Sequence, residues 1–186
     1  MPRQDRNDLD AIILTGGASR RMGADKAEQF WGGRRAVDRV ADLALEAGAV
    51  RIITAGPRAL GYAHVADPEP FGGPVAGVLS GLAALGPEAV RVLVLAVDAP
   101  SLRLSDLMGL IEAGGVGAAY AGFPLPMVIK ATGCPNEAEA GWPLRRLVDR
   151  AGLAQITPDP DALDRLRGAN TPQDYARLAR SAGWTN

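Results

Sequence analysis

The feature that most constrains this chain is a series of short apolar runs separated by segments with helical spacing. "AIIL" (11–14), "RIIT" (51–54), "VLVLAV" (92–97) and "MVIK" (127–130) read as strands buried on both faces. "AHVA" (63–66), "GAAYA" (117–121) and "LAQIT" (153–157) are weaker candidates. Between them, Val37, Val40, Ala41, Ala44 and Ala47 fall on one helical face, with Gly48 placed as the C′ residue. Val75 to Leu85 reads as a second helix ending at "GP" (86–87). Ser105 is expected to cap a third, running to "GG" at 114–115. "PLRRLVDRAG" (143–152) opens on a proline suited to N1, and "TPQD" (171–174) is close to a capping box, with Thr171 as N-cap, Pro172 at N1 and Asp174 at N3. Strands alternating with helices imply a mostly parallel sheet covered on both faces. Ligands of such sheets sit beyond the carboxyl ends of the strands.

A chain of 186 residues suits one domain, and no repeat, low-complexity tract or linker divides it. We therefore expect a single domain over 1–186 with its core from about residue 11 to 182. The formal net charge of −1 supplies no basic field for nucleic acid or an anionic membrane. Cys134 is the only cysteine, which excludes an internal disulfide and fits a reducing compartment. The polar start "MPRQDRNDLD" and the brief "AIILT" offer neither a signal h-region nor a membrane span. The expectation is a soluble cytoplasmic protein, a monomer or a weak oligomer.

Directly after the first strand comes "LTGGASRRMGADK", Leu14 to Lys26, with two adjacent glycines, two adjacent arginines and a lysine. That composition suits an anion held by backbone and side chains together. Two common phosphate motifs fail here. A Walker A loop needs G-x-x-x-x-G-K-[ST], but "AD" separates Gly23 from Lys26 and no Ser or Thr follows. The dinucleotide fingerprint G-x-G-x-x-G is not met either.

The stretch instead resembles the signature L-x-G-G-x-S-x-R-M-G-x-D-K of the molybdenum cofactor guanylyltransferases. Leu14, Gly16, Gly17, Ser19, Arg21, Met22, Gly23, Asp25 and Lys26 fill every fixed position. "GGPVAGVLSGL" (72–82), "LAVDAPSL" (95–102), "PLRRLVDRAGL" (143–153) and "NTPQDY" (170–175) are similar, in order, to later family segments. The resemblance spans about Ala11 to Tyr175. It implies a Rossmann-like three-layer α/β/α nucleotidyltransferase fold, with a mostly parallel sheet. It also implies transfer of GMP from GTP to the terminal phosphate of molybdopterin, with Mg²⁺ as cofactor and pyrophosphate as leaving group. By the same resemblance, Arg21, Lys26 and Asp98 are catalytic, and Asp98 is the metal ligand. Leu14, Thr15, Gly16, Gly17, Lys26, Thr54, Asp67, Gly73 and Asp98 are the residues the resemblance leads us to expect at the nucleotide.

The residues suit that chemistry. An attacking phosphate monoester is already anionic, so no strong base is required, and the only histidine, His64, reads as a structural strand residue. Positioning and charge neutralisation remain. Gly16 and Gly17 let backbone N–H groups approach phosphates with no Cβ in the way. Arg21 and Lys26 neutralise phosphoryl oxygens, while Arg20, at a variable motif position, reads as solvated. Asp98 ends the strongest strand, where one carboxylate suffices for Mg²⁺ completed by water and phosphates. A carboxylate at Asp67 would accept both guanine N1–H and the 2-amino group. Gly73 and Gly77 are expected to let loop and helix pack close to the nucleotide.

Three positions depart from the family: Thr54 replaces an asparagine, Val97 a cysteine, and Gly168 the first asparagine of N-x-N-T-P, of which Asn170 remains. The acceptor is expected on the surface shared by Asn170, the "FPLP" turn (123–126) and the loop after Asp98, with Gly168→Asn adding a contact. Lys130, Arg145 and Arg146 are candidate phosphate partners there, against the ordinary reading of solvated charges. Alternatives stay open: a cytidylyltransferase, another small-molecule nucleotidyltransferase, or a nucleotide-binding protein without catalysis.

Overall fold

In the computed structural model, residues 9–16, 26–66 and 72–184 are described. The first strand, β1 (Leu9–Leu14), shows why the chain layers. Alternate strand residues point to opposite faces. Leu9, Ala11 and Ile13 enter one hydrophobic core, and Ile12 and Leu14 enter a second. β6 (Arg91–Ala96) repeats the device, with Leu93 and Leu95 on the first side and Val92 and Val94 on the second. A strand with apolar residues on both faces needs a covering layer on each side.

The other strands are β2 (Phe30–Trp31), β3 (Arg34–Arg35), β4 (Ala49–Gly56), β5 (Ala63–Ala66), β7 (Gly117–Tyr120), β8 (Phe123–Lys130) and β9 (Ala154–Ile156). The helices are α1 (Ala36–Glu46), α2 (Gly73–Leu85), α3 (Ser105–Glu112), α4 (Leu144–Arg150), α5 (Leu163–Arg167) and α6 (Pro172–Ser181). Helices α1, α3, α5 and α6 contribute Val37, Leu107, Leu166 and Leu178 to the first core, and α2 and α4 contribute Val75 and Leu147 to the second. Burying each such side chain is worth about 1.5–3 kcal/mol. Among the described residues the main sheet has seven strands in the order β5-β4-β1-β6-β8-β7-β9, and β2 and β3 form a separate hairpin. Only β8 runs antiparallel to its neighbours, so the sheet is mostly parallel as expected. No helix among the described residues is long and apolar enough to cross a membrane.

Several local expectations shift. Burial on both faces holds in β4 only from Ile53 onward. Arg51 instead reaches across to the buried Asp10 with two hydrogen bonds of 2.8 and 2.6 Å. Ser105 is not an N-cap: α3 starts at Ser105, and the Asp106 carboxylate accepts the Arg103 N–H at 2.9 Å. Pro143 precedes α4 as its N-cap, because its extended ψ of 145° lies outside the helix. "FPLP" is part of β8 rather than a turn. Its two prolines lie beyond Met127, where the pairing with β6 ends and no ladder N–H is needed. Gly48 does follow α1 in the left-handed region, and the Thr171–Asp174 capping box is present.

The chain leaves β1 for β4 and β5 on one side, then returns through α2 to β6 on the other. The strand order therefore reverses at β1. A crevice opens at such a reversal, outside the carboxyl ends of β1 and β6.

Candidate active site

The floor of that crevice is made by the ends of three adjacent strands. Leu14 is core, and its carbonyl accepts the Val97 N–H at 3.1 Å, carrying the β1–β6 pairing one step past the ladder. Thr15 sends both its N–H (2.8 Å) and its hydroxyl (3.1 Å) to the Ala55 carbonyl. Gly16 is exposed at the edge. This tight seam needs Gly56, where a Cβ would collide with the Thr15 hydroxyl and lie 2.7 Å from the Gly16 nitrogen. Sequence reading missed Gly56, although "GP" (56–57) at the end of a strand was a visible turn signal.

Asp98 lies two residues beyond β6, and Lys26 Nζ lies 3.9 Å from its Oδ2. Burial pushes the Asp98 carboxyl above its ordinary range, and the Lys26 ammonium pulls it back in part. The Lys26 ammonium also donates to Asn170 Oδ1 at 2.9 Å and to the Ala169 carbonyl at 3.2 Å. The Ala169 N–H donates to the Asp98 carbonyl at 2.7 Å. The loop between α5 and α6 is therefore docked on the loop after β6. Lys26, Asp98 and Asn170, separated by up to 144 residues, meet at one point.

The position of that loop is set from behind. Arg165 on α5 forks onto Asp106 on α3 through contacts of 2.7 and 2.6 Å, and the Asp106 carboxylate is almost fully buried. Neither residue stood out in the sequence, because lone charges in helical segments usually face water.

The remaining expected site residues fall elsewhere. Thr54 is fully buried, and its hydroxyl donates to the Ala63 carbonyl at 3.3 Å beside His64 Nδ1 at 3.2 Å. It is a sheet residue whose hydroxyl turns toward β5. His64 is a strand residue, as expected. Gly73 opens α2, exposed and with a φ of +76°. Gly77 is buried on the same helix. Gly17, Arg21 and Asp67, with Ser19, Met22, Gly23 and Asp25, lie outside the described residues.

The acceptor-side expectations divide. Lys130 pairs with Arg91 at the start of β6, so it sits at the sheet edge opposite Asp98. Arg146 stacks on Trp142, 3.8 Å from the ring centroid. Arg145 lines a shallow depression with Tyr120, Phe123 and Pro124. Gly168 cannot be replaced in the way the sequence invited. Its φ of +64° and ψ of −171° lie in a region almost confined to glycine. A Cβ there would also fall 2.7 Å from the Asp98 carbonyl oxygen.

Comparison with known proteins bears on this arrangement. Residues 11–151 match the MobA-like NTP transferase domain. The molybdenum cofactor guanylyltransferase of Xanthomonas euvesicatoria is 30% identical over 177 residues, covering 90% of this chain and 92% of that protein. A probable molybdenum cofactor guanylyltransferase of Chloroflexus aggregans is 29% identical over 203 residues, covering 96% and 97%. Two solved structures share the fold. A nucleotidyl transferase from Methanothermobacter superposes with a TM-score of 0.72 at 18% identity, covering 97% of this chain and 100% of that one. Molybdopterin-guanine dinucleotide biosynthesis protein A from Archaeoglobus fulgidus gives 0.64 at 17% identity, covering 95% and 100%. The match over residues 11–151, and a 30% identical relative aligned over nearly the whole of both chains, show that the chain belongs to the MobA-like NTP transferase family of nucleotidyltransferases.

Proposed function

We propose that this protein transfers GMP from GTP to the terminal phosphate of molybdopterin. The observation that supports this best is the convergence of Lys26 and Asp98, 3.9 Å apart, at the carboxyl edge beside Gly16. The guanylyltransferase names of two curated relatives that cover nearly the whole chain supply the base and the acceptor.

In the proposed reaction an oxygen of the acceptor phosphate forms a bond to the α-phosphorus of GTP. The bond from that phosphorus to the bridging oxygen breaks, and pyrophosphate leaves with the electron pair. The nucleophile is already anionic, so the protein's work is alignment and charge neutralisation. Lys26 neutralises phosphoryl oxygens as charge moves toward the leaving group, and Arg21 has the same proposed role. Gly16 and Gly17 have the proposed role of offering backbone N–H groups to the phosphates. Asp67 would read guanine by accepting from N1–H and the 2-amino group.

Asp98 is the residue that would hold Mg²⁺. Among the described residues no group of three or more His, Cys, Asp or Glu side chains forms a metal cluster, so the ion would share its coordination with phosphate and water. The Asp98 side chain is 32% exposed at the crevice, which suits that division. When bound, the ion supplies further charge neutralisation on the triphosphate.

The test has two stages. Thermal stabilisation by GTP, CTP, ATP and UTP is measured with and without Mg²⁺, and GTP with Mg²⁺ is expected to raise the midpoint most. The protein is then given GTP, Mg²⁺ and molybdopterin, and the dinucleotide and pyrophosphate are measured. Equal stabilisation by CTP, or GMP transfer only to some other phosphorylated acceptor, would overturn the assignment.

A further inference from the structure

We infer that Asn170 is a positioning residue that acts through Lys26, holding its ammonium ready for the triphosphate. This rests on the reading above that Lys26 meets phosphate.

A lysine ammonium carries three N–H donors on a flexible four-carbon stem and gives up considerable rotamer freedom when fixed. Here two donors are already committed, to Asn170 Oδ1 at 2.9 Å and to the Ala169 carbonyl at 3.2 Å. Asp98 Oδ2, at 3.9 Å, attracts the charge without taking a hydrogen bond. The third N–H is left for a phosphoryl oxygen. Fixing the stem before the nucleotide arrives lowers the ordering cost of binding.

Asn170 can serve as a fixed point because its own groups are tied. Its backbone N–H donates to Asp174 Oδ2 at 3.2 Å, and its side-chain amide donates to the Arg167 carbonyl at 3.4 Å. Ala169, the preceding residue, is fastened to the Asp98 carbonyl. The helix that follows is anchored again on the Lys26 side. Tyr175 donates its hydroxyl to the Phe30 carbonyl at 2.6 Å and packs on Trp31, with ring centroids 4.3 Å apart. These contacts join the segment from Lys26 to Trp31 to the C-terminal part of the chain at both of its ends. The Lys26 ammonium is thus tied, through Asn170, to a loop that is itself fastened at both ends.

A double-mutant cycle in GTP affinity tests this, using the full chain with Mg²⁺ and no acceptor. Asn170→Ala is expected to weaken GTP binding about three- to tenfold in the unmodified protein and to have no effect in a Lys26→Met background. Asn170→Ser, whose hydroxyl stops short of Nζ, is expected to give the same pattern if the alanine variant folds poorly. An equal loss from the Asn170 change in both backgrounds overturns the inference and leaves the role of Lys26 standing. If Lys26→Met alone leaves GTP affinity unchanged, the triphosphate reading fails and the inference falls with it.

Discussion

Gly168 and Asp98 are in contact through their backbones: the space a Cβ would need at Gly168 lies 2.7 Å from the Asp98 carbonyl oxygen, the same oxygen that accepts the Ala169 N–H. A glycine 70 positions along the chain (168 − 98) therefore sets how the proposed metal ligand is held. Gly168→Ala and Gly168→Asn are both predicted to strain this contact. Each should cost about 1–3 kcal/mol of stability and reduce turnover by more than the stability loss accounts for. Unfolding midpoints and kcat/KM measured side by side check this. An asparagine variant with improved acceptor binding and unchanged stability would contradict it.

For Asp98 two outcomes are expected of one substitution. Asp98→Asn should lower Mg²⁺-dependent turnover by about a hundredfold or more. It should also stabilise the protein without ligands at neutral pH, because burial raises the carboxyl's pKa in the folded state. The sign follows from linkage: the folded state takes up this proton more readily than the unfolded chain. Stability on this account is greatest below the ordinary aspartate value and declines as pH rises through the raised one. The gain from Asp98→Asn should therefore vanish in acid. Thermal midpoints against pH for both proteins, free of nucleotide and Mg²⁺, show whether the curves converge.

Lys26 is 20% exposed and carries no packing role comparable to its ionic one. Lys26→Met keeps the length of the stem and removes the charge. Turnover is predicted to fall about a hundred- to a thousandfold, far more than the loss of its hydrogen bonds to Ala169 and Asn170 lowers the thermal midpoint. Near-normal rates would return the binding-only alternative to the front.

The Asp106–Arg165 pair should matter at a distance. Removing one partner of a buried, bidentate pair costs about 3–5 kcal/mol. At the lower figure, Asp106→Ala should lower the midpoint by about 6–12 °C in a chain of this size. It should also raise the KM for GTP, since Arg165 sits on the helix that leads into Gly168, Ala169 and Asn170. A destabilised variant with an unchanged KM would mean that the loop holds its place without this support.

The sequence by itself determined the layers. Apolar residues at successive positions of "AIIL" and "VLVLAV" demand burial on both sides, and Leu9 to Leu14 divides between two cores for that reason. The helix that follows "GGRR", the capping box at Thr171 and the places of Lys26 and Asp98 after buried strands were equally legible, since propensity, period and motif all act within a few residues. Only the tertiary structure decided which groups meet. Thr54 turns its hydroxyl toward β5 because its neighbour there, Ala63, offers a carbonyl that no local pattern reveals. "FPLP" extends β8 because the pairing with β6 stops at Met127. Arg165 finds Asp106 across 59 positions, and Lys26 finds Asn170 across 144. Such pairs depend on which side of β1 the chain takes after each crossover. The strand order sets that path, and it brings the carboxyl ends of β1 and β6 beneath the Gly168 turn.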